Sequence, residues 1–261
     1  MSGPRFTFLG TGTSSGVPVP GCGCPVCTSP DPRDRRLRSS LLVQYAGRNL
    51  VIDCGPDFRE QVLRAGLKRL DALLLTHDHA DHLHGIDDVR SFNFVQGTAI
   101  PCFVTPACGA TIRRRFPYLF GPPCPGGGRP ELDLSEVTGR FDVFGLDVTP
   151  VPVEHGLAET VGYRLGGLAY LPDVKRIPRD SMALLEGLDV LVIDALRPDP
   201  QPTHLSVDEA LALVAELRPR RTFLTHLSHR LAHEATSASL PGNVRLAYDG
   251  LVLEADGDIS P

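Results

Sequence analysis

Short apolar runs recur along the chain, separated by turn residues and by a few stretches with helical spacing. "RFTFLGTG" (5–12) reads as a strand that opens into a loop, and "SSLLVQYAGRNLVIDCG" (39–55) as two strands around a turn at 46–49. "DFREQVLRAGL" (57–67) reads as a helix with Val62 and Leu63 on one side and Gly66 placed to stop it. "LDALLLTHDHADH" is a wholly apolar strand that runs directly into a histidine-rich loop. "LDVTPVPVEH" (146–155) partly alternates and ends in His155, "GLAYLPD" ends in Asp173, and "LDVLVIDAL" carries Asp194 near its end. "HLSVDEALALVAEL" (204–217) is the clearest helix, because Ser206 and Glu209 match a capping box. "RTFLTHLSH" is a last buried strand with His226 just past its end.

One arrangement repeats in this pattern: a hydrophobic strand, then a polar residue of a metal-binding type at its C-terminal end. Strands interspersed with helices predict an α/β layered fold, and shared strand ends place these polar residues at one rim. The sequence shows no internal repeat and no linker, so residues 1–261 read as one domain. "FPYLFGPPCPGGGRP" (116–130) reads either as a surface connection or as a flap.

Composition narrows the class. The hydrophobic fraction of 42% and charged fraction of 22% are those of an ordinary globular chain. A formal charge of −5 provides no general attraction to nucleic acid or to anionic membranes. No apolar run reaches the ~18 to 20 residues that span a bilayer. "MSGPRFTFLGTG" has no signal-peptide h-region, which predicts a cytoplasmic, reducing location. Seven cysteines, an odd number, fit poorly with a fully paired disulfide framework.

Two clusters carry chemistry. "HDHADH" (77–82) packs His77, His79 and His82 with Asp78 and Asp81 into six positions directly after an apolar strand. Neutral imidazole favours zinc, iron or manganese, and carboxylate oxygens can tie two such ions together. "PGCGCPVC" (20–27) places Cys22, Cys24 and Cys27 in a proline- and glycine-rich loop. By itself this run is open to a disulfide knot, a redox pair, buried thiols or most of a tetrahedral metal site.

"THDHADH" resembles the H-x-H-x-D-H signature of the metallo-β-lactamase fold, a four-layer αβ/βα sandwich with a two-metal site at one edge. That resemblance implies His77 and His79 on a first metal, and Asp81 and His82 on a second. His155 in "PVEHG", Asp173 in "YLPD" and His226 in "LTHLSH" match, in order, the remaining histidine, the bridging aspartate and the final histidine. Asp53 in "VIDCG" matches a carboxylate that orients the site without being a ligand. "FLGTGTSSGVPVPGCGCPVC", the "THLSH" pair and the closing "YDG" are similar to one branch, the cyclic-phosphate phosphodiesterases of the bacterial carbon–phosphorus lyase pathway. That branch implies a structural zinc on Cys22, Cys24, Cys27 and His229, a loop at 20–29 built around it, a general acid at His204, and a homodimer.

The function these resemblances imply is hydrolysis of a small or cyclic phosphodiester by a hydroxide bridging two divalent metals, with manganese, zinc or iron in the active site. Two alternatives share the fold: a transfer-RNA 3′-processing endonuclease, and a redox or carrier protein of pyrroloquinoline quinone biosynthesis. The chain has no inserted basic arm for RNA, and it keeps every ligand of the signature. β-Lactamases usually carry another residue at the position of His82, and glyoxalase-type thioesterases need a helical region that the chain has no room for after His226. "GTGTSSG" cannot be a dinucleotide fingerprint, because the "VPVPG" that follows cannot open a helix, although the loop could lie against the metal site with its backbone N–H groups facing phosphate. Arg33, Arg35, Arg36 and Arg38 read as a solvated basic face, with a substrate clamp as the alternative; Cys54, Cys102, Cys108 and Cys124 as structural thiols; His84 and His233 as ordinary polar residues.

Overall fold

Alternating side chains give the strands two faces, and in the computed structural model, which describes residues 3–122 and 128–254, those faces define the layers. The first sheet runs β14 (Val252–Glu254), β1 (Arg5–Gly10), β2 (Ser40–Tyr45), β3 (Arg48–Ile52), β4 (Ala72–Leu74), β5 (Ile100–Val104) and β6 (Leu132–Glu136). The second runs β13 (Val244–Leu246), β12 (Arg221–Thr225), β11 (Val190–Asp194), β10 (Leu168–Leu171), β9 (Ala158–Leu165), β8 (Leu146–His155) and β7 (Phe141–Val143). Phe6, Phe8, Val43 and Ile52 of the first sheet meet Tyr163, Tyr170, Val192 and Phe223 of the second in a core between the sheets. The opposite face of the first sheet packs Leu42, Val51 and Leu73 against Phe58 and Val62 of α1 (Phe58–Arg64), Phe92 of α3 (Arg90–Gln96) and Ile112 of α4 (Pro106–Arg115). The outer face of the second sheet packs Leu171, Leu191 and Leu224 near α5 (Arg179–Ala183) and against Ala210 and Val214 of α6 (Val207–Leu217). This is the four-layer αβ/βα sandwich.

Strands β3 to β6 are mutually parallel, as are β10 to β13. Their C-terminal ends therefore open on one rim, and that is where the polar strand-end residues lie. The capping box of α6 is present, with Glu209 N–H donating to Ser206 Oγ and Ser206 N–H donating to the Glu209 carboxylate. Pro150 and Pro152 are accommodated within β8 because β7 pairs only with its first three residues, 146–148, so their missing N–H groups cost no ladder bond there.

Several expectations need correction. The segment after His79 is not all loop: α2 (Ala80–Leu83) carries Asp81 and His82 on one short turn. In α1 the buried residues are Phe58, Gln61 and Val62, while Leu63 is 59% exposed, because position 63 turns away from the sheet. Of the arginines of 33–38 only Arg35 is exposed; the other three are not a solvated basic face. Arg36 is buried and ion-paired to Asp34 at 2.8 Å, Arg33 pairs with Asp31 and Glu234, and Arg38 pairs with Asp57. His233 is buried too, and its backbone N–H donates to Asp34. Cys54, Cys102 and Cys108 are free, buried thiols; Cys124, with the rest of 123–127, lies outside the described residues.

Candidate metal centre

The rim is assembled from six strand ends. Asp53 follows β3, His77 follows β4, His155 closes β8, Asp173 follows β10, Asp194 closes β11 and His226 follows β12. Two of these residues pay a backbone cost: Asp53 (φ 65) and His226 (φ 57) are left-handed, which a non-glycine residue adopts only when its surroundings hold it. For Asp53 the holding contacts are plain. Its carboxylate accepts from Thr76 N–H at 2.8 Å, from Thr76 Oγ1 at 2.9 Å and from His82 Nδ1 at 2.7 Å. Gly55 lets this turn pass α2, since a Cβ there would lie 1.8 Å from the Asp81 carbonyl oxygen.

Two four-residue groups result. His77, His79, His155 and Asp173 form one, and Asp81, His82, Asp173 and His226 the other, with the ligand atoms of each group within 4.8 Å of one another. Asp173 belongs to both, and its two oxygens divide the work. Oδ2 lies 3.7 Å from His77 Nε2 and 3.5 Å from His155 Nε2, whereas Oδ1 lies 3.2 Å from His82 Nε2 and 3.4 Å from His226 Nε2. A tetrahedron with metal–nitrogen arms of ~2.0 to 2.1 Å has edges of about 3.3 Å, so these separations suit a cation between the donors.

The remaining ring nitrogens explain the orientation. His82 Nδ1 donates to Asp53, His155 Nδ1 donates to the Thr203 carbonyl at 2.7 Å, and His77 Nδ1 sits 2.9 Å from Thr76 Oγ1. Outer partners of this kind fix tautomer and aim, leaving Nε2 of each ring as an inward lone pair. Inward, His77 Nε2, His82 Nε2, His226 Nε2 and Asp173 Oδ1 are buried without any hydrogen-bond partner. Four orphaned buried donor atoms facing one another are costly unless a cation satisfies them, and the residues fit a divalent pair on that ground. The same imbalance acts on protons. Burial lowers His77, whereas on His82 the surrounding Asp173, Asp53 and Asp81 overcome burial and raise the imidazole well above its ordinary value.

His204 stands at the mouth, its ring centroid 4.5 Å from that of His155 and stacked 4.6 Å from that of His226. Burial pushes its imidazole below the ordinary value. Asp194 was not singled out from sequence as a site residue, yet its Oδ2 lies 2.8 Å from His204 Nδ1 and also accepts from Val174 N–H at 3.2 Å. Its only signal was the strand-end position it shares with the ligands. The mouth opens into a cavity of about 420 Å³ that adds Ser14, Gly156, Leu157 and Thr203 to the ligand side chains. Asp78 points away, accepting from Arg115 of α4 at its backbone carbonyl.

A second centre lies behind this wall. The thiols of Cys22, Cys24 and Cys27 stand 3.3, 3.5 and 3.5 Å from His229 Nδ1. A tetrahedron with Zn–S arms of ~2.3 Å and a Zn–N arm of ~2.0 to 2.1 Å has S···N edges of about 3.5 Å, so this Cys3His set fits zinc. Val19 N–H donates to Cys27 Sγ and Cys27 N–H to Cys24 Sγ. The latter bond leads the lowering of the Cys24 thiol to about 6, while burial pushes Cys27 up to about 11. The buried Arg36 guanidinium fixes the segment bearing His229 by donating to the carbonyls of Ser228 at 2.9 Å and Leu231 at 2.6 Å.

An αβ/βα sandwich whose rim holds two His/Asp groups joined by one carboxylate defines a metallo-β-lactamase-fold hydrolase. The chain belongs to the beta-lactamase superfamily, whose domain model matches residues 48–227. A solved structure described as a new diphosphatase from the PhnP family shares 43% identity at a TM-score of 0.90, covering 98% of this chain and 100% of that one. An octanoyltransferase of Porphyromonas gingivalis is 38% identical over 95% of this chain, but the chain spans only 51% of that relative's length. A ribonuclease Z of Bradyrhizobium diazoefficiens is 42% identical, with 94% of this chain and 97% of that one covered. A coenzyme PQQ synthesis protein B of Methylobacterium nodulans is 30% identical over 72% of this chain and 71% of that one. Among the described residues, no helix is long and apolar enough to cross a membrane.

Proposed function

We propose that this protein hydrolyses small phosphodiesters, with His77, His79, His155 and Asp173 holding one divalent ion, Asp81, His82, Asp173 and His226 a second, and Cys22, Cys24, Cys27 and His229 a structural zinc. The observation that carries this reading is the split of Asp173: one oxygen faces each histidine set. Ions held there would polarise phosphoryl oxygens and bring the pKa of water towards neutrality.

The chain's own residues supply the rest. In its protonated form His204 is the proton donor to the leaving oxygen through Nε2, because Asp194 occupies Nδ1 and fixes which nitrogen faces the mouth. In the balanced step, a water oxygen bonds to phosphorus and gives up one proton to solvent, one P–O ester bond breaks, the departing oxygen takes that electron pair and the His204 proton, and His204 regains a proton from solvent. Asp53 and Thr203 hold the rings of His82 and His155 against rotation. The complete pair of ligand groups supports a hydrolase over a carrier of pyrroloquinoline quinone intermediates.

The test is a substrate panel of bis(p-nitrophenyl) phosphate, 2′,3′-cyclic nucleotides, a phosphomonoester, a lactone and a cephalosporin, with protein loaded separately with manganese or zinc. Diester cleavage that disappears in Asp81→Ala supports the proposal. Silence on every diester from protein with both sites filled overturns it.

A further inference from the structure

The β8–β9 hairpin ends at the mouth of the metal cavity. Its ladder closes with the pair His155↔Ala158, so Gly156 and Leu157 are the two residues of the turn. Gly156 is left-handed (φ 57) and Leu157 is not, the arrangement of a type II′ turn, which calls for glycine first and makes no demand on the residue that follows. A Cβ on Gly156 would also lie 3.3 Å from Thr203 Cγ2, so the tip packs closely on Thr203. Turn chemistry accounts for Gly156 and leaves Leu157 unexplained.

Leu157 is 107% exposed, the most exposed large apolar side chain among the described residues, and the only one of the exposed set that lines the metal cavity. It is also held still. His155 Nδ1 donates to the Thr203 carbonyl, and one residue earlier Glu154 N–H donates to the Arg176 carbonyl at 2.8 Å while Lys175 N–H donates to the Glu154 carbonyl at 2.7 Å. A fixed apolar group in water at the edge of a reaction site loses little freedom when a ligand covers it, so the burial of its surface goes into binding.

Charge restricts the ligand further. Apart from the side chains of the two metal groups, the cavity is lined by Ser14, Gly156, Leu157, Thr203 and His204, and among the described residues no lysine or arginine joins them. Arg38, which donates to the Ser14 carbonyl, is ion-paired to Asp57 at 2.9 Å. A second anionic group would find no countercharge in this lining, whereas an uncharged apolar group would meet Leu157.

We infer that Leu157 is a specificity-determining residue: the substrate is a phosphodiester of single negative charge, one of whose ester groups is apolar and packs on the hairpin tip. The inference rests on the phosphodiesterase reading for the chemistry at phosphorus, but the apolar contact is itself a binding property.

The experiment compares methyl(phenyl)phosphinate with dimethylphosphinate, which carry the same single charge, have no ester bond to hydrolyse, and differ by one phenyl ring in place of a methyl group. Calorimetry measures the binding of each to the full chain loaded with metal, with metal content checked after each titration. Wild type should prefer the phenyl probe by about tenfold, the effect of burying roughly 55 Å² of apolar surface. Leu157→Ser should cut that preference by about three- to tenfold, with the loss confined to the phenyl probe, and Leu157→Met should keep it. Equal affinities in wild type, or a preference that survives Leu157→Ser, would overturn the inference. Sedimentation of the same variants covers the other use of an exposed leucine: an oligomer that dissociates in Leu157→Ser with the probe preference unchanged assigns the tip to self-association and overturns it as well. Bis(p-nitrophenyl) phosphate turnover by the wild-type protein tests the underlying reading separately. Turnover without a phenyl preference sinks only the role of Leu157, and a Leu157-dependent preference without turnover sinks only the hydrolase reading.

Discussion

Nδ1 of His204 lies 2.8 Å from Oδ2 of Asp194, a carboxylate fully removed from solvent at the end of a central strand. A buried carboxylate on one ring nitrogen fixes the tautomer and steadies a proton on the other, as in other acid–base pairs. Asp194→Asn should therefore lower kcat by about 10²- to 10³-fold while KM changes little, for a diester with an alkyl leaving group. The same variant should be nearly as fast as wild type on a p-nitrophenyl ester, whose leaving group needs no proton. A merely structural role would slow both substrates alike. Steady-state kinetics on the two leaving groups decide between them.

The Cys3His centre makes a prediction that activity assays cannot replace. Cys24→Ser should lower the metal content by about one ion per chain, measured by elemental analysis, and leave the ions at the rim in place. The zinc would tie the 20–29 loop to the segment after β12, so its loss should also lower Tm, by roughly 10 °C for a chain of this size losing about 3 to 5 kcal/mol. Unchanged metal content would remove the zinc assignment.

Asp173 and Asp53 occupy different positions relative to the ions, and their variants should separate. Asp173→Ala removes the one side chain common to both groups and should empty the rim of metal, with activity falling by at least about 10³-fold. Asp53→Asn keeps every ligand but loses the charge on His82 Nδ1, so metal affinity should drop by about 10- to 100-fold, and excess metal should restore activity. Metal titrations followed by activity recovery distinguish the two.

The convergence of these His and Asp side chains at one rim was legible because two independent signals coincide on them: a dense His/Asp motif, and polar residues at the ends of apolar strands. Asp194 shares only the second signal, and an aspartate closing "VLVID" looks no different from a turn residue until the 198–206 segment folds His204 onto it. Arg36 was misread because four arginines in six positions suggest solvent, whereas the acceptors that bury it, Ser228 and Leu231, lie far along the chain. Leu63 was misread because a helix of two turns has too few positions to fix its buried face from spacing alone.

His233 offers a stability test away from the rim. Its ring packs edge-on against Tyr248, and its Nδ1 is buried without a partner. Burial, with the Arg33 and Arg36 guanidinium groups beside it, lowers the imidazole to about 4, against the partial opposition of Asp31 and Asp34. Unfolded, the same group titrates near ~6.5. Between those two values the unfolded chain binds the extra proton, so stability rises with pH across this window and is lost as pH falls from about 6.5 towards 4. After allowance for solvent screening of a partly shielded ring, the loss between pH 7 and pH 5 amounts to about 1 kcal/mol. Metal release also destabilises the fold at low pH, so the informative quantity is a difference of differences. Urea unfolding of wild type and His233→Gln at both pH values should show a steeper loss in the wild type by that amount. Identical slopes would mean that the His233 proton is not excluded by the fold.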